Sequence, residues 1–353
     1  MGGRDYDRRQ FLAAGGGGLL LCTLGGQQIY SDREADVSQL ASGLEVPPKV
    51  AAAQRAGATT APQSEAVLAA ARADGSRREY WIKAEQVKWN ALPRQRDGMT
   101  NKKVKTKGKF EAYAYRGYTQ NFAQPIAKAS IPGPVIEAYV GDTVVVNFRN
   151  ETPGPVTIHP HGIQYSSDMD GAYKGKFTEP GGFVQPGEEF QYTWEALPGT
   201  EGTWLYHDHG PLDPVPLYKG LFGPMIIRPA GSTPPDKEFW CFFHSFQPVA
   251  TGLDVPIECI NGRSYAGNTP TFKSKVGDRV AFHVVAIDDY FHTFHIHGHR
   301  WQDTDGSIID TKTVGPGDSF TAEFTENNPG RWFYHCHVFS HLHQGMNGWY
   351  LVE

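Results

Sequence analysis

Cysteine is scarce in this chain, with four in 353 residues, which excludes a scaffold built on disulfides. Cys22 ends an apolar run near the N-terminus and Cys336 lies between two histidines. Only Cys241 and Cys259 are left, either to pair in an oxidising compartment or to remain two separate buried thiols. Positive net charge is absent as well: the formal value is −5, which argues against nucleic acid as a partner, since that needs a basic face. Long apolar runs are missing too. The one candidate ends near Leu24 and is too short and glycine-rich to span a bilayer, so no membrane span is expected. It follows Arg8-Arg9-Gln10-Phe11-Leu12, a twin-arginine pair, so residues 1–26 are expected to be an export signal to the envelope or exterior. A lipoprotein site at Leu21-Cys22 fits poorly, because the residue before the cysteine is large. Residues 27–78 hold few large apolar side chains and are expected to form a flexible arm, with Ser64–Ala73 as its one candidate helix.

What is plentiful is glycine (40), proline (25) and aromatic residues (12%), a mix that suits turn-rich β domains with real cores. The chain also contains itself twice. PGPVIEAYVGDTVVVNFRN matches TPTFKSKVGDRVAFHVVA, two alternating strands broken by a Gly-Asp turn. VTIHPHG (156–162) matches HTFHIHG (292–298), and VQPGEEFQYTWEALPGTEGTWLYHDH (184–209) matches VGPGDSFTAEFTENNPGRWFYHCH (314–337). Two copies of one β-sandwich with a period of about 130 residues account for this. The expected division is 79–232 for the first domain and 233–353 for the second, joined near Ala230–Asp236.

The differences between the copies carry the chemistry. Each copy supplies four histidines at i, i+2 spacing: His159, His161, His207 and His209 in the first, and His295, His297, His335 and His337 in the second. The first copy has Val156, Asp208, Asp213 and Tyr218 where the second has His292, Cys336, His341 and Met346. Successive side chains on a strand point to opposite faces. In HCHVFSHLHQGM (335–346), Cys336 therefore faces away from His335 and His337. One cysteine, two histidines and a weak methionine are the ligands of a blue copper electron-transfer site. Eight neutral imidazoles next door suit copper or zinc, and the adjacent cysteine site favours copper.

The motif order HPHG, HDH, HTFHIHG and HCHVFSHLHQGM resembles that of the multicopper oxidases over roughly residues 79–353. With two cupredoxin-like Greek-key domains and the blue site in the second, the chain resembles the bacterial small, two-domain laccases. The resemblance implies an all-β fold and four copper ions per chain. The type 1 ion would take His292, Cys336, His341 and Met346. The type 2 ion would take His159 and His295. One type 3 ion would take His161, His207 and His337, and the other His209, His297 and His335. The activity implied is four one-electron oxidations of phenols or aromatic amines, coupled to reduction of dioxygen to water. The oligomer implied is a homotrimer, in which the first domain of one chain meets the second domain of the next. A methionine ligand is expected to keep the blue-site potential low, which favours electron-rich substrates.

Asp310 matches an acidic position near the cluster in small laccases, and Tyr165 a tyrosine that supplies an electron there; Asp168 and Asp170 are further candidates for proton delivery. The plainer alternatives are turn chemistry for the aspartates and core packing for the tyrosine. Trp301 and Phe339, close to the ligands in sequence, are expected to pack and exclude water. Three rival readings fit the residues less well. A copper nitrite reductase carries its cysteine in the first domain, where this chain has Asp208. A metal-ion oxidase of the cuprous kind would carry methionine-rich insertions, whereas this chain has five scattered methionines. A non-catalytic copper-binding or electron-transfer protein would leave eight histidines without purpose.

Overall fold

The computed structural model describes residues 75–176 and 181–353, together with the backbone of two short paired strands, β1 (Cys22–Leu24) and β2 (Gln27–Ile29). The expected export signal and the candidate helix Ser64–Ala73 lie outside the described residues. Among the described residues no helix is long and apolar enough to cross a membrane.

The protein is all-β, two sandwiches in tandem. In the first, β3 (Arg77–Asn90) runs between β4 (Lys109–Tyr118) and β6 (Thr143–Glu151), and β8 (Glu189–Glu195) closes the sheet in the order β4-β3-β6-β8. Its facing sheet is β5-β10-β9-β7, from β5 (Ile136–Tyr139), β7 (His159–Pro160), β9 (Gly202–His207) and β10 (Phe222–Arg228). The second sandwich repeats this order. One sheet is β12-β11-β14-β19, from β11 (Lys237–Phe246), β12 (Ile257–Ile260), β14 (Arg279–Ala286) and β19 (Ser319–Thr325). The other is β13-β21-β20-β15-β18, from β13 (Thr271–Ser274), β15 (His292–Ile296), β18 (Thr311–Val314), β20 (Gly330–Cys336) and β21 (Asn347–Val352). The strand-for-strand match is the structural form of the sequence repeat. The first strand starts at Arg77, two residues before the expected boundary at 79.

Each sandwich is filled by its alternating inward side chains. Val144, Val146 and Phe148 from β6 meet Tyr192 and Trp194 from β8 in the first core. Phe282, Val284, Phe294, Tyr334 and Cys336 meet in the second. A third apolar cluster joins the two halves: Leu205 and Phe222 from the first sandwich pack with Phe242, Phe246 and Val285 from the second, the rings of Phe222 and Phe242 stacking at 5.6 Å. Strand β11 is thus apolar on both faces, which explains its nearly unbroken run FWCFFHSF. It also keeps the two remaining thiols apart. Cys241 faces the second core, whereas Cys259, paired across the sheet with His244, faces the cluster between the halves. Both are free and buried.

Polar contacts reinforce this junction. His283 on β14 hydrogen-bonds through Nδ1 to Thr203 Oγ1 (2.8 Å) and through Nε2 to Glu238 Oε1 (2.9 Å). Arg228 of the first half reaches Glu238 of the second at 2.8 Å. Burial alone would raise the Glu238 carboxyl, but His283 and Arg228 outweigh it and hold the group at about 2.

Candidate metal centres

Strand pairing builds the histidine groups. In the first half β7 pairs with β9 so that His159 lies opposite His207. In the second half β15 pairs with β20 so that His295 lies opposite His335, and Phe294 opposite Cys336. Neighbours across a ladder share a face. His295 and His335 therefore share the outer face, while Phe294 and Cys336 point into the core. Each first motif ends in a glycine in the left-handed region, Gly162 (φ 72°) and Gly298 (φ 74°). A Cβ on Gly162 would lie 2.0 Å from the Trp204 ring, and one on Gly298 2.8 Å from the Trp332 ring. The turn thus needs glycine for both its φ and its close approach to a tryptophan on the paired strand.

Three compact ligand groups result: His159, His161 and His207; His295, His297 and His335; and His292, Cys336 and His341. In the outer two, imidazole nitrogens converge in pairs. His161 Nε2 is 3.1 Å from His207 Nε2, and His297 Nε2 is 3.2 Å from His335 Nε2. Their Nδ1 atoms are fixed by backbone carbonyls in matching ways. His159 donates to Asp170 O (2.7 Å) and His295 to Asp310 O (2.8 Å). His207 donates to the carbonyl of Asp208 and His335 to that of Cys336. Donation from Nδ1 leaves Nε2 as a bare lone pair, the form a metal ion binds. Burial pushes His161 and His335 down to about 4 and His207 well below the ordinary imidazole value, so all three are neutral at pH 7.

The buried third group has a different donor set. Cys336 Sγ is 3.7 Å from His292 Nδ1 and 3.8 Å from His341 Nδ1, and the two Nδ1 atoms are 3.2 Å apart. An ion about 2.0–2.1 Å from imidazole nitrogens and about 2.3 Å from a thiolate, with angles of about 100–120°, sets N···N at about 3.1–3.6 Å and N···S at about 3.3–3.8 Å. The cysteine group fits that test, and so does the one close nitrogen pair in each outer group. Burial would raise the Cys336 thiol, but its contacts with His292 and His341 prevail and bring it down to about 6, toward the thiolate. Met346 is fully buried in the same core, and its carbonyl accepts from the Cys336 amide at 3.0 Å.

His209 and His337 flank these groups. Their rings lie 5.6 Å from His207 and 5.4 Å from His335, respectively. Each quartet holds together on its own. Among the described residues no metal group and no ring contact joins one quartet to the other within the chain. The ligand sets expected from the resemblance are therefore half-formed in a single chain: His161 meets His207 without His337, and His297 meets His335 without His209. The two halves bury other faces against each other, through Phe222, Phe242 and their neighbours.

The remaining candidates separate. Tyr165 lies with its ring 6.1 Å from that of His159, and burial, then Asp170, push its hydroxyl up to about 12. Asp170 brings its carbonyl and a carboxylate oxygen (3.2 Å) to His159 Nδ1. Asp310 meets His295 through its carbonyl, while its exposed side chain accepts from Thr311 Oγ1 at 3.1 Å. Asp168 is exposed on a short 3-10 turn. Trp301 is buried and stacks with Phe320, as expected of a packing residue. Phe339 departs from that expectation: it is 67% exposed, its ring edge-on to His337 at 5.5 Å. It sits on a short helix, α1 (Phe339–His343), none of whose residues is buried.

Two carboxylates beside the cysteine group were not anticipated. Asp288 accepts from His292 Nε2 at 3.0 Å, with both side chains fully buried. Glu258 on β12 is buried, and burial pushes it up to about 7 against the opposing pull of His341. Among the described residues, Asp288 Oδ2 and Glu258 Oε2 have no hydrogen-bond partner. The DDYFH spacing, with an acid four residues before His292, was a readable signal for Asp288; nothing local marked Glu258.

Two family models described as multicopper oxidase match residues 114–232 and 234–353. Among curated relatives, a probable nitrite reductase-hydroxylamine oxidoreductase fusion protein of Kuenenia stuttgartiensis is 37% identical over 240 residues, covering 64% of this chain and 28% of that protein. Hephaestin of Homo sapiens is 29% identical, covering 79% of this chain and 30% of its own length, and ceruloplasmin of Homo sapiens is 30% identical, covering 78% and 30%. The chain thus spans under a third of the length of these relatives. Among solved structures, a crystal structure of a multicopper oxidase is similar at TM-score 0.62 and 27% identity, covering 78% of this chain and 89% of that one. A blue copper oxidase from Nitrosomonas europaea shares the fold at TM-score 0.59 and 23% identity, covering 78% and 86%.

Proposed function

The chain belongs to the multicopper oxidase family, and from that premise we propose that it is a laccase-type enzyme. It would oxidise phenols or aromatic amines one electron at a time and reduce dioxygen to two waters. The observation that carries this reading is Cys336 between His335 and His337: its sulfur meets His292 and His341 in the core, while its two neighbours belong to the outer quartet. His292, Cys336, His341 and Met346 would hold the type 1 copper, and the two quartets the type 2 and type 3 ions in the sets given above. Bound copper supplies one-electron redox chemistry at the first site and four-electron reduction of dioxygen at the others.

The chain's own residues would do the rest. The Cys336 backbone gives a short covalent path between its sulfur and the flanking imidazoles. His341, half-exposed, is the edge that faces the reductant. The Asp170 and Asp310 carbonyls lock His159 and His295 with Nε2 turned outward. Tyr165 beside His159 would supply an electron, and Asp310 a route for protons. The separation of the quartets within one chain supports a homotrimer in which the 79–232 half of one copy completes the 233–353 half of the next. The twin-arginine segment supports export of the folded protein. The test is oxygen uptake by copper-reconstituted protein with 2,6-dimethoxyphenol, with metal and mass counted per assembly. Four coppers per chain with water as product is the expected result; a single copper and no oxygen uptake would overturn it.

A second reading, oxidation of metal ions, is favoured by Glu258 and Asp288, two buried carboxylates with unpartnered oxygens beside the type 1 histidines. Loss of ferrous oxidation in Glu258→Gln with phenol oxidation intact would select it; equal loss of both would reject it.

A further inference from the structure

Between positions 94 and 109 the chain places seven lysines and arginines and a single acid, Asp97, on a protein whose net charge is −5. All seven cations are exposed. None takes part in the ion pairs of the described residues. Asp97 offsets one of the seven at most, and it is buried, accepting from the Met99 amide (2.9 Å) and Thr100 Oγ1 (2.5 Å). The segment is a fixed lobe. Asp97 N donates to Lys102 O, Val104 N to Gln95 O and Ala91 N to Gly108 O, so it folds back on itself like a hairpin.

The lobe is tied to the second half, one layer from the blue site. Gly98 N donates to Ala266 O (2.7 Å), Arg94 N to Asn268 Oδ1 (2.8 Å) and Asn268 Nδ2 to Arg96 O (2.9 Å). The same 264–268 segment grips the loop that carries His341 and Met346. Tyr265 N donates to Gly345 O (2.7 Å), Ala266 N to Asn347 Oδ1 (2.8 Å), and Met346 N closes onto His341 O (3.0 Å). The edge of that site is itself apolar and open: Tyr290, 47% exposed, has its ring 5.9 Å from that of His341.

We propose that the 94–109 lobe is a docking surface for a small acidic protein that delivers electrons at His341. A fixed basic field steers an acidic partner toward the edge it borders. An exposed aromatic beside a ligating imidazole, with charge nearby, suits the small, short-lived interfaces of electron-transfer pairs. Small neutral phenols need no such field, and a polyanion bound for its charge alone would gain nothing from the fixed tie to the His341 loop. In each encounter the partner loses one electron and the blue site gains one; four encounters match one dioxygen, four protons and two waters. The electron-transfer half rests on the function proposed above, whereas the docking half does not.

The test uses plastocyanin, a small acidic copper protein, and cytochrome c, a basic haem protein, as probes. Binding to the metal-free full chain is measured by calorimetry or anisotropy at low and high salt. The expected result is plastocyanin binding that weakens about tenfold or more between 20 and 200 mM salt, with no cytochrome c binding. In the variant Lys102→Glu/Lys103→Glu/Lys105→Glu/Lys107→Glu the preference should reverse, with melting temperature and, in copper-loaded protein, 2,6-dimethoxyphenol oxidation unchanged. Unaltered plastocyanin affinity in the variant, equal binding of both probes by the parent, or salt-dependent self-association in place of probe binding would each overturn the proposal. If no phenol is oxidised, the proposed function fails, but the binding arm still decides the lobe.

Discussion

Asp288→Asn is the sharpest perturbation of the cysteine group. The Asp288 carboxylate accepts from His292 Nε2 at 3.0 Å, and neither side chain meets solvent. The hydrogen bond fixes Nδ1 as the ligand nitrogen, and its charge favours whichever state of the site is more positive, the oxidised one. A hydrogen bond to a charged group is worth about 1.5–3 kcal/mol. If most of that preference belongs to the oxidised state, its loss raises the one-electron potential by about 60–130 mV, at 59 mV per tenfold change or 1.4 kcal/mol. Asparagine keeps the shape and the acceptor oxygen, so the blue band should persist. Its amide nitrogen would fall where Oδ2 already lacks a partner, so the variant should also lose about 1–3 kcal/mol of stability. Spectroelectrochemical titration of the blue band at constant pH measures the potential. A shift below about 20 mV, or any fall, would refute the electrostatic reasoning.

Other outcomes follow from the same geometry. Cys336→Ser should abolish both the strong blue colour and phenol oxidation; a variant that stays blue would refute the ligand assignment. His295→Ala should keep the blue band, since His295 lies on the outer face, but should stop oxygen uptake; normal uptake would count against the cluster map. Glu238 titrates at about 2 in the fold against 4.5 for the free group, so its pairing with His283 and Arg228 stabilises the protein above pH 4.5. That stability is lost as pH falls from 4.5 to 2, by up to about 3 kcal/mol. Glu238→Gln should flatten the dependence of melting temperature on pH in that window, and an unchanged slope would show that the junction does not sense this group.

Much of the site was legible because strands impose a period of two. The alternation that sends Cys336 inward and His335 and His337 outward follows from three adjacent letters, and the two sheets realise it through Phe294 opposite Cys336 and His295 opposite His335. The repeat was legible for the same reason, since matched strands carry matched faces. What escaped sequence reading depends on contacts between distant segments. Glu258 reaches the blue-site surroundings from β12, roughly eighty residues before Cys336, and no local pattern marks it. Phe339 reads as a core aromatic by type, yet the turn of α1 leaves it in the open. The junction through His283, Thr203 and Glu238 is likewise invisible until both sandwiches are in hand.

The first half shows what the fold does with the same position when no sulfur is there. Asp208 occupies the place of Cys336 and is fully buried, and burial pushes its carboxyl up to about 8. It accepts from the Thr157 amide at 2.7 Å and the Gly210 amide at 3.3 Å, tying the strand to the loop before His159. Val156 fills the place of His292 and is wholly buried in the first core. Tyr218, in the place of Met346, donates its hydroxyl to Asp289 in the other half. A pocket that holds two imidazoles, a thiol and a thioether in one copy thus becomes, in the other, a hydrogen-bonded clamp reaching the loop next to Asp288 and His292. On the function proposed above, copper bound through a thiolate would have no ligand set there, so the asymmetry between the halves would confine sulfur ligation to the second half and leave the first to present its four imidazoles.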